Sequence, residues 1–269
     1  MPYERELDTA LAAAREAGAI LLRHYGRAKH WDKSEDNPVT VADLESDRAI
    51  AARLRAAFPA DGLLSEETVH DADRTEKSRC WIVDPMDGTK EFVGQIPEFA
   101  VSIALCEDGE PVVGVILNPA ADVRVWATRG GGTVRDGKPV RVSSCRELAQ
   151  ARVIASRTEI SRGQFEPYQG WFRELRPVGS IAWKLACIAT GDADLNVSVV
   201  PKNEWDVCAG DLLVREAGGL YVAFDGSRRR YNRRDPLIET GMAAGPPELL
   251  EQFRRRQAEL EGEGRSDAR

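Results

Sequence analysis

The chain is predicted to be a mixed α/β protein, with an α+β first half and an α/β second half. Two amphipathic helical patterns open it, at residues 4–25 and 40–58, and a series of β-rich segments follows them. In the second half, apolar segments of strand and helix type alternate. The change predicts two domains, residues 1–145 and 146–260, and a disordered tail at residues 261–269.

Composition and charge narrow the class of protein. The 269 residues are 42% hydrophobic and 30% charged, which is typical of a soluble globular protein. No segment approaches the ~18 apolar residues of a membrane span, and the charged N-terminus is unlike a signal peptide. Five scattered cysteines are typical of reduced thiols, and a net charge of −7 argues against binding nucleic-acid polymers. We therefore expect a cytoplasmic protein that binds neither membranes nor nucleic-acid polymers.

The start of the second helix carries a residue with a clear structural role. Thr40 is the predicted N-cap, and Asp43, three residues later, completes the pattern of a capping box. An acidic residue in the first turn also favours the positive end of the helix. A structural role is therefore the simpler interpretation of Asp43 from this pattern alone. Residues 29–38, which precede the helix, are predicted to form a polar loop.

Strands and turns are expected through the rest of the first half. They are predicted at residues 63–65, 80–83, 99–106, 111–117, 123–127 and 133–142, with a polar loop at 70–79. The glycine run at residues 130–132 fits no phosphate-binding loop and is predicted to be a turn. In the second half, strands are predicted at residues 152–155, 194–200, 220–224 and 237–243, and helices at 181–190, 205–217 and 246–260.

Residues 81–92 are the strongest candidate for a functional segment. An apolar strand is predicted to end at Asp84-Pro85, because proline lacks the backbone donor that would continue the ladder. Asp84 and Asp87 then lie in a tight turn that closes on Gly88. Carboxylates at a strand end, beside a glycine that lets amides approach a ligand, suit a hard metal ion and a phosphate. A capped turn, in which the carboxylates bond nearby amides, explains the segment equally well.

The available ligand types decide which metal to expect. The histidines lie far from the strand-end carboxylates and no Cys-x-x-Cys pair is present, so zinc is not expected. A few oxygen ligands, with positions left for water and phosphate, suit Mg²⁺. Asp206 opens a helix, where the dipole favours a carboxylate in any case. The candidate oxygen ligands are Glu66, Glu67, Asp84, Asp87, Asp206 and main-chain carbonyls.

The spacing of Asp84 and Asp87 also bears on the type of reaction. Phosphatases that form an aspartyl-phosphate present Asp-x-Asp, with both carboxylates on one side of an extended strand. Residues three apart would point to opposite faces of a strand, whereas in a turn both can reach one ion. The spacing therefore favours attack by water over a covalent intermediate.

Two long motifs resemble the signatures of the inositol monophosphatase superfamily. Residues 84–92 match its Asp-Pro-x-Asp-Gly-Thr-x-x-Phe signature. Residues 205–219 match its second signature, Trp-Asp-x-x-Ala-x-x-x-Leu-x-x-Glu-Ala-Gly-Gly. Residues 38–43 and 65–67 are similar to two earlier blocks, so the resemblance covers nearly the whole chain. It implies a layered αβαβα sandwich that catalyses Mg²⁺-dependent, lithium-sensitive hydrolysis of a phosphomonoester.

The resemblance also implies a role for each matching residue. Two or three Mg²⁺ ions would be held by Glu66, Asp84, the Met86 carbonyl, Asp87 and Asp206. The attacking water would be oriented and deprotonated by Asp43 and Thr89, with Glu66 as the third catalytic residue. Substrate would be contacted by the amides of Gly88 and Thr89 and by Asp87 and Asp206. Asp43 thereby gains a second role besides its cap.

The identity of the substrate rests on a smaller feature. Residues 88–92 are similar to the 3′(2′),5′-bisphosphate nucleotidases (CysQ-type), which implies hydrolysis of 3′-phosphoadenosine 5′-phosphate to AMP and phosphate. Lys202 and the backbone amides of Gly179 and Ser180 are candidates for contacting the second phosphate, although a surface lysine and a helix cap explain them as well. An inositol or other sugar monophosphatase is the alternative, and a non-catalytic metal- or phosphate-sensing module is a remote one. A homodimer is implied by the family alone.

Overall fold

Helices and sheets alternate in five layers. The computed structural model describes residues 3–27, 30–34, 37–68 and 73–266. Two N-terminal helices cover one face of a seven-stranded sheet, two further helices lie between that sheet and a five-stranded sheet, and the C-terminal helix covers the outer face of the second sheet. This arrangement confirms the predicted layered αβαβα sandwich.

The elements of the described residues have the following bounds. The helices are α1 Glu4–His24, α2 Val41–Ala57, α3 Thr89–Val93, α4 Arg157–Ser161, α5 Ile181–Ala189, α6 Glu204–Glu216 and α7 Pro247–Ser266. The first strands are β1 His30–Ser34, β2 Asn37–Thr40, β3 Gly62–Ser65, β4 Arg79–Asp87, β5 Ala100–Glu107, β6 Glu110–Asn118, β7 Val123–Thr128, β8 Gly132–Arg135 and β9 Lys138–Val140. The later strands are β10 Arg152–Ser156, β11 Glu174–Val178, β12 Leu195–Ser198, β13 Lys202–Asn203, β14 Leu220–Ala223, β15 Leu237–Ile238 and β16 Met242–Gly245.

The seven-stranded sheet follows the order β3-β4-β5-β6-β7-β8-β9, and only β3 and β4 run parallel. Successive side chains of a strand point to opposite faces. In β4, Trp81 and Val83 therefore pack on the side of α1 and α2, whereas Cys80 and Ile82 face the middle layer. Both faces of the sheet are buried, which explains why its strands read as continuous apolar runs.

The middle layer joins the two halves of the chain in one core. The helices α5 and α6 pack on each other and on both sheets, in a cluster that includes Ile116 of β6 and Tyr221 of β14. The helix α6 approaches β6 closely because Gly114 has no side chain. A Cβ at that position would lie 2.9 Å from the carbonyl oxygen of Ala209 and 3.3 Å from its Cα. Main-chain contact therefore sets the distance between α6 and the sheet.

The five-stranded sheet has the order β11-β10-β12-β16-β14, with β10 parallel to both of its neighbours and the other pairs antiparallel. Its outer face is covered by α7, where Phe253 contacts the rings of Tyr168 and Trp171. Aromatic rings at these tilted and edge-on angles add to the apolar burial between the last two layers.

Some elements differ from the prediction for identifiable reasons. The predicted polar loop at residues 29–38 contains the paired strands β1 and β2, with residues 29, 35 and 36 outside the described part. The predicted strand at 237–243 divides into β15 and β16. The strand β11 was not predicted, because it is an edge strand whose exposed charged residues and Pro177 give no apolar pattern. The turn predicted at residues 130–132 is confirmed: it joins β7 to β8.

The C-terminal helix is longer than predicted. It continues to Ser266, so residues 261–266 are helical where a disordered tail was expected. Residues 267–269 lie outside the described residues, and so do residues 69–72 at the start of the predicted loop. Among the helices that the structure describes, none is both long and apolar enough to cross a membrane.

The contact at Gly114 predicts a cost for the smallest possible side chain. We expect Gly114→Ala to lower the free energy of unfolding by about 1–3 kcal/mol in urea titrations, because the clash is with main chain that cannot rotate away. Gly262→Ala in α7 is the control, since a Cβ there meets no atom within 4 Å. That substitution should leave stability unchanged or raise it by up to about 1 kcal/mol. Equal stability of Gly114→Ala and the parent protein would contradict the main-chain contact.

Candidate active site

A cleft of about 300 Å³ opens where β4, α5 and α6 meet. It gathers most of the residues that the sequence singled out: Glu66, Asp84, Met86, Asp87, Gly88, Thr89, Ser180, Lys202 and Asp206. Asp43 does not line the cleft but is hydrogen-bonded to Thr89 behind its wall. The rest of the wall consists of Lys90, Glu91, Ser156, Thr158, Gly179, Ile181, Lys184, Asn203 and Trp205.

The strand β4 carries Asp84 and Asp87 into the cleft through a break in its pairing. It pairs with β5 at Asp84, loses the regular register, and pairs again at Asp87. The expectation that Pro85 ends the strand is therefore wrong. The proline lies in the irregular segment, where no ladder hydrogen bond is required of it. Within this segment Asp84 accepts the N–H of Met86 at 2.9 Å, which fixes its carboxylate at the cleft floor.

Gly88 turns the chain from β4 into α3. Its φ of +97° lies in the left-handed region, which residues with a side chain rarely adopt. A Cβ at Gly88 would also lie 2.9 Å from the carbonyl oxygen of Glu98. Only glycine therefore fits between β4 and the loop that precedes β5, and the first residue of α3 is Thr89.

Asp43 caps its own helix and also reaches Thr89. Its Oδ2 accepts hydrogen bonds from the backbone N–H and the hydroxyl of Thr40, both at 2.7 Å, which confirms the predicted capping box. Its Oδ1 accepts the Thr89 hydroxyl at 3.1 Å. Burial raises the pKa of Asp43 to about 6, although the hydrogen bonds from Thr40 and Thr89 act in the opposite direction. One carboxylate thus serves the helix with one oxygen and the cleft with the other.

Asp87 is held by the start of α5. Its Oδ2 accepts the Ser180 hydroxyl at 2.7 Å and the N–H of Ala182 at 2.6 Å. Ser180 also caps α5 by accepting the N–H of Trp183 at 3.0 Å. The φ of Ser180 is 52°, a conformation that costs a non-glycine residue about 1–3 kcal/mol of free energy, and these hydrogen bonds offset that cost. The Ser180 hydroxyl donates to Asp87 and so positions that carboxylate. Ser180 also lines the cleft, and contact between its backbone amide and substrate stays a prediction.

The other two carboxylates come from β3 and α6. Glu66 follows β3, and its N–H bonds the carbonyl of Val83 at 3.3 Å, which places it beside the end of β4. Asp206 lies in the first turn of α6, where it accepts the N–H of Asn203 at 2.7 Å in a second capping box. Asp206 therefore combines the cap that the sequence allowed with a place in the cleft wall.

The neighbouring carboxylates raise the pKa values of Asp84 and Asp206. Burial raises the pKa of Asp84 well above its ordinary value, and the charges of Glu66, Asp87 and Asp206 raise it further. Burial, followed by the charges of Asp87 and Glu66, does the same to the pKa of Asp206. Gathering like charges away from water costs free energy, and a divalent cation placed among them would offset that cost.

The donor set fits Mg²⁺ bound with few protein ligands. Across the described residues, no three His, Cys, Asp or Glu side chains converge closely enough to hold an ion by themselves. Mg²⁺ commonly takes one or two carboxylates and completes its coordination with water and phosphate oxygens. The arrangement leaves those positions to water and substrate. The residues that would hold the ions are Glu66, Asp84, the Met86 carbonyl, Asp87 and Asp206.

Lys202 lies in the cleft wall as predicted, but its charge is paired. Its Nζ lies 3.2 Å from Oε1 of Glu159, a carboxylate that is 2% exposed. Glu159 also accepts the Ser198 hydroxyl at 3.1 Å and the N–H of Val199 at 2.9 Å. The ammonium is therefore part of a buried network that fixes the chain just before α6.

Two buried charges near the cleft were not found from the sequence. No local pattern distinguishes Glu159 from an ordinary surface acid. Lys184 did leave a signal, because it is the one charged residue in the nine-residue helix α5, Ile-Ala-Trp-Lys-Leu-Ala-Cys-Ile-Ala. A lysine within such an apolar helix has to reach a polar partner or a ligand.

The raised carboxyl pKa values predict how pH affects the metal-free protein. Asp43, Asp84 and Asp206 bind protons more tightly in the folded chain than in the unfolded chain. Their contribution to the free energy of unfolding is therefore greatest below about pH 4 and falls as the pH rises through their folded pKa values, about 6 for Asp43. Because Mg²⁺ stabilises the ionised carboxylates, it should raise Tm more at about pH 8 than at about pH 5.5.

Asp211→Asn is the matched control for this prediction. Burial also raises the pKa of Asp211 to about 6, but it lies in α6 behind the cleft and bonds the Tyr231 hydroxyl at 3.1 Å. Asp211→Asn should weaken the pH dependence of stability and leave the rise in Tm caused by Mg²⁺ unchanged. Asp206→Asn, which keeps a capping oxygen, should weaken both the pH dependence and the rise in Tm. If Mg²⁺ raises the Tm of Asp206→Asn as much as that of the parent protein, Asp206 is not a metal ligand.

Known proteins resemble this chain over most of its length. The family model described as "Inositol monophosphatase family" matches residues 3–260. The chain is 31% identical over 239 residues to the fructose-1,6-bisphosphatase/inositol-1-monophosphatase of Thermotoga maritima, covering 88% of this chain and 91% of that protein. It is 35% identical over 230 residues to the inositol-1-monophosphatase of Rhizobium meliloti (82% and 86%). It is also 34% identical over 230 residues to the Nus factor SuhB of Pasteurella multocida (82% and 85%).

Solved structures agree with the sequence comparison. The extragenic suppressor protein suhB of Bartonella henselae superposes with a TM-score of 0.84 at 30% identity, covering 94% of this chain and 98% of that one. The IMPase of Thermotoga maritima superposes with a TM-score of 0.85 at 28% identity, covering 96% and 99%. The match in family, sequence and fold shows that this chain belongs to the inositol monophosphatase family.

Proposed function

We propose that the protein is a Mg²⁺-dependent phosphomonoesterase that hydrolyses small phosphorylated polyols, such as inositol or sugar phosphates. The observation that carries this proposal is the hydrogen bond between Thr89 and Asp43 at the edge of the carboxylate cleft. A module that only sensed metal or phosphate would need the carboxylates but not a paired hydroxyl and buried base. The pair supports catalysis by an activated water.

The proposed steps follow from the hydrogen bonds of this pair. The Thr89 hydroxyl has two acceptors within reach, Oδ1 of Asp43 at 3.1 Å and the carbonyl oxygen of Met86 at 3.2 Å. When its one hydrogen points to Asp43, its lone pairs can accept a proton from water in the cleft. As the water attacks phosphorus, its proton passes to Thr89 and the Thr89 proton passes to Asp43. The bond between phosphorus and the ester oxygen breaks, and the alcohol leaves after its oxygen takes a proton from a second water in the cleft. The two donors from Thr40 hold Asp43 in place for this transfer. A pKa of about 6 suits a base that works near neutral pH.

The remaining cleft residues would bind and orient the phosphoryl group. The backbone N–H groups at Gly88 and Thr89 open α3 beside the carboxylates, where a phosphate oxygen can be received. Glu66, Asp84, Asp87, Asp206 and the Met86 carbonyl would hold Mg²⁺, which supplies Lewis-acid stabilisation of the phosphoryl oxygens and lowers the pKa of bound water. Ser180 keeps Asp87 in position through its hydroxyl.

The relatives favour polyol phosphates over the bisphosphate nucleotide. The named proteins above are inositol monophosphatases, a fructose-1,6-bisphosphatase/inositol-1-monophosphatase and SuhB proteins. They do not support the narrower assignment to bisphosphate nucleotidases drawn from residues 88–92. That activity stays a second candidate because Lys90 and Glu91, the residues that suggested it, both line the cleft.

A direct comparison of substrates tests the proposal. With Mg²⁺, we expect higher kcat/KM for inositol 1-phosphate and fructose 1,6-bisphosphate than for 3′-phosphoadenosine 5′-phosphate, and inhibition by Li⁺. A preference for the nucleotide would favour the second candidate. Absence of Mg²⁺-dependent phosphate release from all three compounds would reject an esterase and favour the sensing module.

Substitution of Thr89 tests the proton-transfer pair. Thr89→Val keeps the shape but removes the hydroxyl, so kcat should fall by about 10²–10⁴-fold. Thr89→Ser is the control, since it keeps the hydroxyl and should retain activity within about tenfold. The rise in Tm caused by Mg²⁺ should persist in both variants, because neither removes a carboxylate. Unchanged phosphate release by Thr89→Val would show that the hydroxyl takes no part in the reaction.

A further inference from the structure

Lys184 is a buried charge that the proposed reaction does not use. It lies in the first half of α5, only 3% of its surface is exposed, and it forms part of the cleft wall. Every other residue of α5 is apolar. A charged side chain is rarely placed in such a helix without a partner, because moving a charge out of water costs far more free energy than moving an apolar side chain.

The hydrogen bonds of Lys184 leave most of its capacity unused. Its Nζ donates to the carbonyl oxygen of Val178 at 3.1 Å. An ammonium carries three N–H donors. Among the described residues, no carboxylate approaches this Nζ within the 4.0 Å of an ion pair. Lys184 is therefore a nearly buried cation with spare donors at the wall of an open cleft.

Lys202, in the same wall, has more partners around its ammonium group than Lys184 has. Its Nζ is 3.2 Å from Glu159 and also lies near two main-chain carbonyls. The two ammonium groups are close enough for Lys202 to lower the pKa of Lys184. Burial is the larger cause of that shift and brings the pKa of Lys184 to about 8, so it is still mostly protonated near neutral pH.

Lys184 and Asp84 are each acted on by a different set of charges in the cleft. The charges that act on Lys184 are those of Asp87, Lys202, Glu159 and Glu91. Those that act on Asp84 are Glu66, Asp87 and Asp206. Asp87 is common to both groups, and the other charges that act on Lys184 and on Asp84 differ.

Neutral hydroxyl groups also line the cleft that Lys184 lines. Ser156 and Thr158 form part of the wall, at the end of β10 and the start of α4. Hydroxyls can donate to an anion without adding charge of their own. A cation with spare donors and two hydroxyls form a pocket suited to a second negatively charged group.

An alternative role for Lys184 is that of a counter-ion that holds Asp87, but this role explains fewer of the observed contacts. Oδ2 of Asp87 already accepts two hydrogen bonds, from Ser180 and Ala182. Lys184 would be expected within ion-pair distance if it were needed to position that carboxylate, and it lies farther away than that. A ligand accounts for the unused donors, whereas the counter-ion role leaves them unexplained.

We propose that Lys184 is a specificity-determining residue that binds a second anionic group of the substrate, such as a second phosphate, beside the phosphoryl group that is hydrolysed. This inference rests on the proposed phosphomonoesterase activity. Within the polyol phosphates it selects those with two anionic groups, and it applies equally to a nucleotide with two phosphates.

Paired substrates that differ by one phosphate test the proposal. The parent protein should show a kcat/KM about tenfold or more higher for fructose 1,6-bisphosphate than for fructose 1-phosphate, as expected for a charge-assisted hydrogen bond. The same advantage should appear for 3′-phosphoadenosine 5′-phosphate over adenosine 3′-phosphate. Lys184→Met should remove it by raising KM for the bisphosphates, with kcat for the monophosphates within about twofold. Lys138→Met, the same substitution on an exposed lysine in β9, should change nothing.

Stability separates ligand binding from a structural role. Because Lys184→Met replaces an unpaired buried charge by an apolar chain of similar length, the Tm of the metal-free protein should stay the same or rise. A fall in Tm together with equal losses on monophosphates and bisphosphates would establish the counter-ion role and overturn the proposal. If Lys184→Met does not fold, Lys184→Gln, which keeps a donor but not the charge, repeats the substrate comparison. It should reduce the advantage of the second phosphate, and an unchanged advantage in Lys184→Gln would overturn the proposal.

Free phosphate is the other possible source of the same chemistry. If Lys184→Met weakens inhibition by inorganic phosphate about tenfold but leaves the ratio between paired substrates unchanged, the pocket binds released phosphate and the proposal is wrong. Turnover of monophosphates without any advantage for a second phosphate in the parent protein would overturn this inference alone. Absence of turnover of every phosphomonoester would instead overturn the proposed function.

Discussion

Repulsion among the carboxylates gathered at the cleft is the constraint around which this molecule is built. Asp84 and Asp87 come from one strand, but Glu66 follows another strand and Asp206 begins a helix of the second half. The charges of these neighbours raise the pKa values of Asp84 and Asp206, so no local segment would hold the four together in the absence of a cation. The layers supply the restraint: the sheet fixes the strand ends, and main-chain contact at Gly114 fixes the distance of α6 from that sheet.

Helix capping is how the fold orients these acids at little extra cost. Asp43 and Asp206 each occupy the third position of a capping box, where one oxygen is fixed by the backbone N–H of the cap residue. The start of α5 holds Asp87 in a related way, through Ser180 and Ala182. Each carboxylate is therefore oriented before a ligand arrives, and preorganised groups lose less freedom on binding.

The sequence was most informative where function and local structure use the same residues. The layers and most of the cleft were predicted from the capping box at Thr40, the ligand candidates around Asp84 and the two long motifs. Each of these patterns consists of residues that are near one another in the sequence. What it could not supply was the register break in β4 at Pro85, which depends on pairing with β5. Lys184 was missed for a similar reason: its unused donors are visible only when its surroundings are known.

The middle layer also has a consequence for how the chain emerges from the ribosome. The inner face of the seven-stranded sheet, with Ile82 and Ile116, is covered by α5 and α6, which are made long after the strands themselves. At synthesis rates of about 5–20 residues per second, the finished strands wait for several seconds to tens of seconds with an apolar surface open to solvent. Nascent chains of this fold therefore carry a period of aggregation risk that ends only when residues 181–216 leave the tunnel.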